Sequence, residues 1–170
     1  VTDRPPRRRA LVGAALAAAA LAGCGFQLRR PPELQLRRVA LTGFDAYSPM
    51  GDELRRQLRA SPGAVVAEAP AGADLVLEAL EDAREQVVAA STAAGQVREL
   101  TLRARLRFRV RTPAGRELIA PTELMLTRDM SYSETTALAK EQEAALLMRS
   151  MHVDLAAQVL RRLAALGPEG

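Results

Sequence analysis

Between Val97 and Arg111 apolar and polar residues alternate with almost no interruption. Leu100, Leu102, Ala104, Leu106, Phe108 and Val110 share one parity, while Thr101, Arg103, Arg105, Arg107, Arg109 and Arg111 share the other. A period of two predicts a strand with one face buried and the other wet. Thr112-Pro113-Ala114-Gly115 then signals a hairpin, and Arg116 to Arg128 returns as a further strand. Pro121 interrupts that strand and predicts a sheet edge or a bulge there, because proline brings no N–H to a ladder. Upstream, Asp74 to Ala90 holds the run Leu75-Val76-Leu77-Glu78-Ala79-Leu80 and a more polar half ending in Val87-Val88. Ser91-Thr92-Ala93-Ala94-Gly95 turns that strand into the next. The first strand falls at Gln35 to Leu41, with Val39 and Leu41 on one side.

Two segments carry a helical period instead. Ser48-Pro49 places a capping hydroxyl before a proline at the first helical position, with Asp52 and Glu53 in the first turn. Met50, Leu54 and Leu58 form its apolar stripe, and Ser61-Pro62-Gly63 stops it. From about Thr136 the stripe Ala144, Met148, Met151, Leu155, Val159 and Leu163 runs to the stop at Gly167-Pro168. The order β-α-β-β-β-α predicts an α+β fold, with two helices packed on one face of a four-stranded mixed sheet as an α/β sandwich.

The N-terminus changes how the charge is read. Arg4, Arg7, Arg8 and Arg9 precede the uncharged stretch Ala10 to Leu21, which is followed by Ala22-Gly23-Cys24. A basic region, a short apolar core and small residues before a cut site make up the pattern of a secretory signal peptide, with Val1 a start codon read literally. The core is shorter than the roughly 20 residues of a spanning helix. Leu21-Ala22-Gly23-Cys24 resembles the bacterial lipobox. That resemblance implies cleavage before Cys24, a diacylglyceryl group on its thiol and an acyl chain on its new amino group. Several chains give stable anchoring, at about 0.8 kcal/mol per buried CH₂. Gly25 in place of an aspartate implies the outer membrane, on its periplasmic face. The expected organisation is a leader over 1–23, a lipidated tether over 24–34, one sandwich domain over 35–166 and a tail over 167–170.

The whole chain carries 24 Lys+Arg against 20 Asp+Glu, a formal +4 that suggests a polyanion partner. Losing residues 1–23 removes four arginines and one aspartate, which leaves 20 cations, 19 anions and +1. With no Trp and only three Phe and two Tyr, nucleic acid is not an expected partner. One Cys allows no internal disulfide, and one His with no Cys cluster allows no structural zinc site.

Arg103, Arg105, Arg107, Arg109 and Arg111 are the unusual feature of what remains. Alternate residues stand roughly 6.6–6.8 Å apart on one face, so the five charges repel unless something offsets them. Glu117 facing Arg111, Glu123 facing Arg105, and Glu81 with Glu85 from the other neighbour would build an internal ladder. The same face suits an acidic protein wall such as a barrel lumen, or phosphates of a lipid or polysaccharide. Arginine's planar fork fits carboxylate and phosphate alike.

No enzyme is expected. His152 sits mid-helix, and Ser91, Ser131, Ser133 and Ser150 lack a Gly-x-Ser-x-Gly setting. Glu141 and Glu143 diverge on their helix, and Cys24 is consumed by lipid. No nucleophile, base and oxyanion site assemble, and no cofactor beyond the covalent lipid is expected.

Cys24-Gly25-Phe26-Gln27-Leu28-Arg29 resembles the mature start of the lipopolysaccharide-assembly lipoproteins of the LptE family. The resemblance continues through Gly95 to Arg111, the turn Pro113-Ala114-Gly115, the segment Ala137-Leu138-Ala139-Lys140-Glu141-Gln142-Glu143 and Arg161-Arg162-Leu163. It implies an α/β sandwich plugged inside the outer-membrane β-barrel LptD, where it assists barrel assembly and binds lipopolysaccharide bound for the outer leaflet. One basic ligand-contact position of the family matches Lys140. The second is not kept, since Thr92-Ala93-Ala94 carries no charge, and Arg98 or Arg128 would substitute. The barrel wall would then meet Arg103 to Arg111. The runner-up reading is a pilotin-like assembly lipoprotein of another outer-membrane machine.

Overall fold

The computed structural model describes residues 37–167. The leader, Cys24, the tether, the start of the first expected strand and most of the tail lie outside them. The elements are β1 (Arg37–Thr42), α1 (Pro49–Ala60), β2 (Ala64–Ala67), β3 (Leu75–Ser91), β4 (Val97–Arg111), β5 (Glu117–Ser131) and α2 (Ala137–Ala164). The sheet order is β2-β1-β3-β4-β5. β1 runs parallel to both β2 and β3, and β3, β4 and β5 form an antiparallel meander.

The sheet therefore has five strands where the pattern predicts four. The additional strand is Ala64-Val65-Val66-Ala67, which pairs with β1 from Arg37↔Ala64 to Ala40↔Ala67. Four residues without alternation, set between Pro62-Gly63 and Pro70, carry too little periodicity to stand out from a turn. The pairing with β1 makes them a strand.

Alternation on β4 decides which side is covered. Leu100, Leu102, Ala104, Leu106, Phe108 and Val110 are all buried, with Leu106, Phe108 and Val110 fully so. They form one core with Val39, Leu75 and Leu77 from the sheet, Met50, Leu54 and Leu58 from α1, and Met151, Leu155, Val159 and Leu163 from α2. Both helices thus lie on this face. On the opposite face, among the described residues, a corner is covered: Ala40, Ala67 and Val76 cluster under Ala73, in the connection that leads into β3.

α1 begins as its sequence predicts. Ser48 accepts a 2.8 Å hydrogen bond from the Gly51 amide, and Pro49 occupies the first turn. The Ser48 hydroxyl also donates to Asp82 at 2.5 Å, which pins the helix start to β3. Gln57 donates to the Val153 carbonyl at 3.0 Å and ties α1 to α2. The buried residues of α2 all lie in its C-terminal half, and in its first half Leu138 and Leu146 are 71% and 63% exposed.

Gly43 ends β1 at a backbone approach that leaves no room for a side chain. Its φ is +78°, and a Cβ there would sit 2.1 Å from the Ala79 carbonyl oxygen. Gly95 has the same φ sign but open space around it. Gly43→Ala is expected to cost about 2–4 kcal/mol, against about 1 kcal/mol for Gly95→Ala. Urea unfolding of the two variants measures the difference, and equal losses would show that the close approach does not matter.

Candidate functional site

The arginines of β4 stand on the face that the helices leave open. Arg109 lies opposite Glu78 of β3, Arg107 opposite Glu81 and Arg103 opposite Glu85. Arg109 grips Glu78 with two nitrogens, Nε at 3.1 Å and Nη2 at 2.9 Å, and the Arg111 Nε reaches the same carboxylate at 3.2 Å. Arg105 reaches Glu81 at 2.7 Å and Glu85 at 3.5 Å, and Arg103 meets Glu85 at 3.8 Å. Three carboxylates of β3 thus answer four arginines. Arg107 has no carboxylate within salt-bridge distance among the described residues, and it is exposed.

Two details depart from the ladder expected from the sequence. Glu78 and Glu81 are three apart and would occupy opposite faces of a regular strand. An irregularity between Ala79 and Glu81 inserts one residue, Leu80, into β3 and returns Glu81 to the arginine face. On β5 the register slips twice between Glu117 and Thr122, around Pro121. Arg111 does lie opposite Glu117, but Glu123 comes to face Arg107 instead of Arg105, which faces Met125. The guanidinium of Arg111 goes to Glu78. β5 is also a sheet edge, so Pro121 marks both an edge and a bulged stretch.

The remaining basic candidates gather less tightly. Lys140, in the first turn of α2, donates to Ser131 Oγ at 3.0 Å and pairs with Glu143 at 2.8 Å. It fastens the start of α2 to the end of β5. Arg98 is exposed on β4, and its carbonyl accepts from the Tyr132 amide at 2.8 Å, next to Lys140's partner Ser131. Arg98 and Lys140 therefore belong to one end of the domain. Arg128 lies opposite Leu102, further along the sheet, and meets Asp154 of α2 at 3.8 Å.

His152 is buried, its Nε2 has no partner among the described residues, and burial pushes its pKa down. Nearby Asp82 and Glu53 oppose that shift and Arg84 reinforces it. Ser131 and Lys140 touch, and the amine donates to both Ser131 and Glu143. Among the described residues no group of three or more His, Cys, Asp or Glu could hold a metal ion. None of the described helices is long and apolar enough to cross a membrane.

A family model described as lipopolysaccharide-assembly matches residues 36–163, which spans the whole sandwich. The chain belongs to the LptE family. The LPS-assembly lipoprotein LptE of Yersinia enterocolitica is 34% identical over 153 residues, covering 87% of this chain and 72% of that protein. Its counterpart in Yersinia pestis strain Pestoides F is 30% identical over 150 residues, with the same coverage. Among solved structures, lipoprotein B of Nitrosomonas europaea superposes with a TM-score of 0.69 at 27% identity, over 83% of this chain and 91% of that one. The rare lipoprotein B of Shewanella oneidensis gives 0.59 at 26%, over 75% and 94%. A minor lipoprotein of Acinetobacter baumannii shares the fold, at 0.63 and 23% identity over 78% and 93%.

Glu78 gives the ladder a pH signature. Burial raises its pKa, but hydrogen bonds and charges from Arg109 and Arg111 outweigh burial and hold the carboxyl below its ordinary value of 4.5. A depressed folded-state pKa adds stability above the unfolded value, and this is lost as the pH falls through the folded one. Glu78→Gln should cost about 0.5–1 kcal/mol at neutral pH, since the cluster is partly screened by solvent. The gap to wild type should close under acid below pH 4.5. Chemical denaturation across pH measures it, and a constant gap would contradict the assignment.

Proposed function

We propose that this chain is an outer-membrane lipoprotein, acylated at Cys24, that plugs an LptD-like β-barrel, assists the barrel's assembly and binds lipopolysaccharide during delivery to the outer leaflet. The leader over 1–23 is removed, the tether over 24–34 joins the inner leaflet of the outer membrane to the sandwich, and the protein performs no catalysis. The observation that carries this reading is family membership across the entire two-layer sandwich. The arginine face supports it further. The lumen of an outer-membrane barrel is polar, and this face offers it charge with neither α1 nor α2 in the way. An interface of that kind typically buries roughly 2,000–5,000 Å². Arg98 and Lys140, together at the far end, are the candidates for phosphate-bearing ligand, with Arg128 secondary because Asp154 already engages it.

The ladder separates docking from stability. Arg105 holds Glu81 and Glu85, so its reversal disturbs the domain itself, whereas Arg107 has no carboxylate within salt-bridge distance among the described residues. Arg107→Gln, which sets no like charge against Glu81 and Glu123 across the sheet, should change stability by no more than about 0.5 kcal/mol. It should also lower barrel co-purification from mild detergent by about fivefold or more at low salt, with the gap to wild type narrowing as salt screens the contact. Undiminished recovery at low and high salt would rule out Arg107 as a wall contact.

A further inference from the structure

One end of the sandwich gathers the start of β1, the last turns of both helices and the turn between β4 and β5. The Arg37 amide donates to the Gly63 carbonyl at 2.9 Å, which sets the start of β1 beside the stop of α1. Val39 lies opposite Leu75, and Val76 opposite Arg111, so the turn over 112–116 closes at the same end. α2 begins at the other end, where Lys140 holds Ser131, and runs back for 28 residues, or about 42 Å. Leu160 and Leu163, near its stop, join the core that Leu58 of α1 reaches.

Six arginines stand on these elements: Arg37 and Arg38 on β1, Arg59 in the last turn of α1, Arg116 in the hairpin turn, and Arg161 and Arg162 in the last turn of α2. None has a carboxylate within salt-bridge distance among the described residues. Arg37 is 7% exposed with its Nη2 unpartnered, and Arg162 has a buried, unpartnered Nη1. Among the described residues the carboxylates at this end are Asp74, which accepts from the Arg38 amide at 2.7 Å, and Glu117, which lies opposite Arg111. Glu68 follows the far end of β2. Helix C-termini also attract cations, but each is worth roughly half an elementary charge, so an excess of about three positive charges remains. The described residues carry 18 cations and 17 anions in all, so the rest of the domain has the opposite balance.

We propose that this end is a membrane-facing surface, which rests on the anionic head groups of the bilayer before the protein meets a barrel. The inference rests on the Cys24 anchor proposed above. Thirteen residues separate Cys24 from Arg37 and reach at most about 47 Å. They add Arg29 and Arg30 against Glu33. A tether of that length holds the cationic end at high effective concentration against lipid head groups, an advantage that no soluble partner shares. Arginines beside an anionic lipid surface are drawn to it over about a Debye length. Arg59, Arg116 and Arg161 are exposed and make the contact, while Arg37 and Arg162 sit deeper and add charge that nothing nearby neutralises. The turn over 91–95 stands at the opposite end of β4, roughly 50 Å away for fifteen residues.

The test uses the acylated protein purified from membranes and reconstituted into vesicles of phosphatidylcholine, alone or with about 30% phosphatidylglycerol. A fluorophore is attached through Ala114→Cys, Ala165→Cys, Ala94→Cys or Met125→Cys, the one native thiol being acylated. Quenching by a nitroxide on the lipid head groups is then measured. In anionic vesicles, quenching should be about threefold or more stronger at 114 and 165 than at 94 or at 125 on the arginine face, and it should weaken about twofold or more in neutral vesicles or at high salt. Arg59→Glu with Arg161→Glu should abolish the difference between the two vesicle types while the protein still floats with both. Arg59→Gln with Arg161→Gln is the milder version, and unchanged hydrogen exchange in β4 confirms that each variant is folded. Equal quenching at all four sites, strongest quenching at 125, or a pattern indifferent to lipid charge in protein that floats would overturn this inference alone. Failure to float with neutral vesicles would overturn the anchor at Cys24 and this inference with it.

Discussion

The fold depends on the strict alternation along β4. Six apolar side chains on one parity bury both helices, and five arginines on the other keep anything from packing there unless it brings negative charge. Stripping charge from water costs several kcal/mol per ion without compensation, so the arginine side could never have been the helix side. The two layers, the buried stripe of α2 and the open sheet face all follow from that division. A one-residue slip in this strand would exchange the two faces.

How far the sequence already disclosed this varies with the length of the signal. β4 spans fifteen residues and α2 twenty-eight, long enough for their periods to be read without a partner. Ala64–Ala67 is too short to show a period and becomes a strand only through pairing with β1. The charge ladder was half legible. Glu81 and Glu85 were visible as partners, but Glu78, the carboxylate that holds two arginines, was not. Its position beside Glu81 on one face requires the bulge at Leu80, and bulges leave little trace in composition. Pro121 announced an irregularity on β5 but not that the register would slip twice.

The surfaces that remain divide the work. On the open face, internal ion pairs occupy four arginines and leave Arg107 facing outward, so a docking partner meets a surface already ordered by the ladder. At one end, Lys140 is bound into the joint between β5 and α2, which makes its position precise but its charge partly spoken for by Glu143. At the opposite end, six arginines gather against two carboxylates where both helices stop and β1 begins. β1 in turn ends where Gly43 closes against Ala79.

The most direct test of the division between faces is a photocrosslinking scan in living cells. A photoreactive residue is placed singly at 103, 105 and 107 on β4 and, for comparison, at exposed Arg161 on the helix layer. High-mass adducts containing the barrel protein are expected from the β4 positions and none from 161. Adducts from 161 with none from β4 would overturn the division between faces.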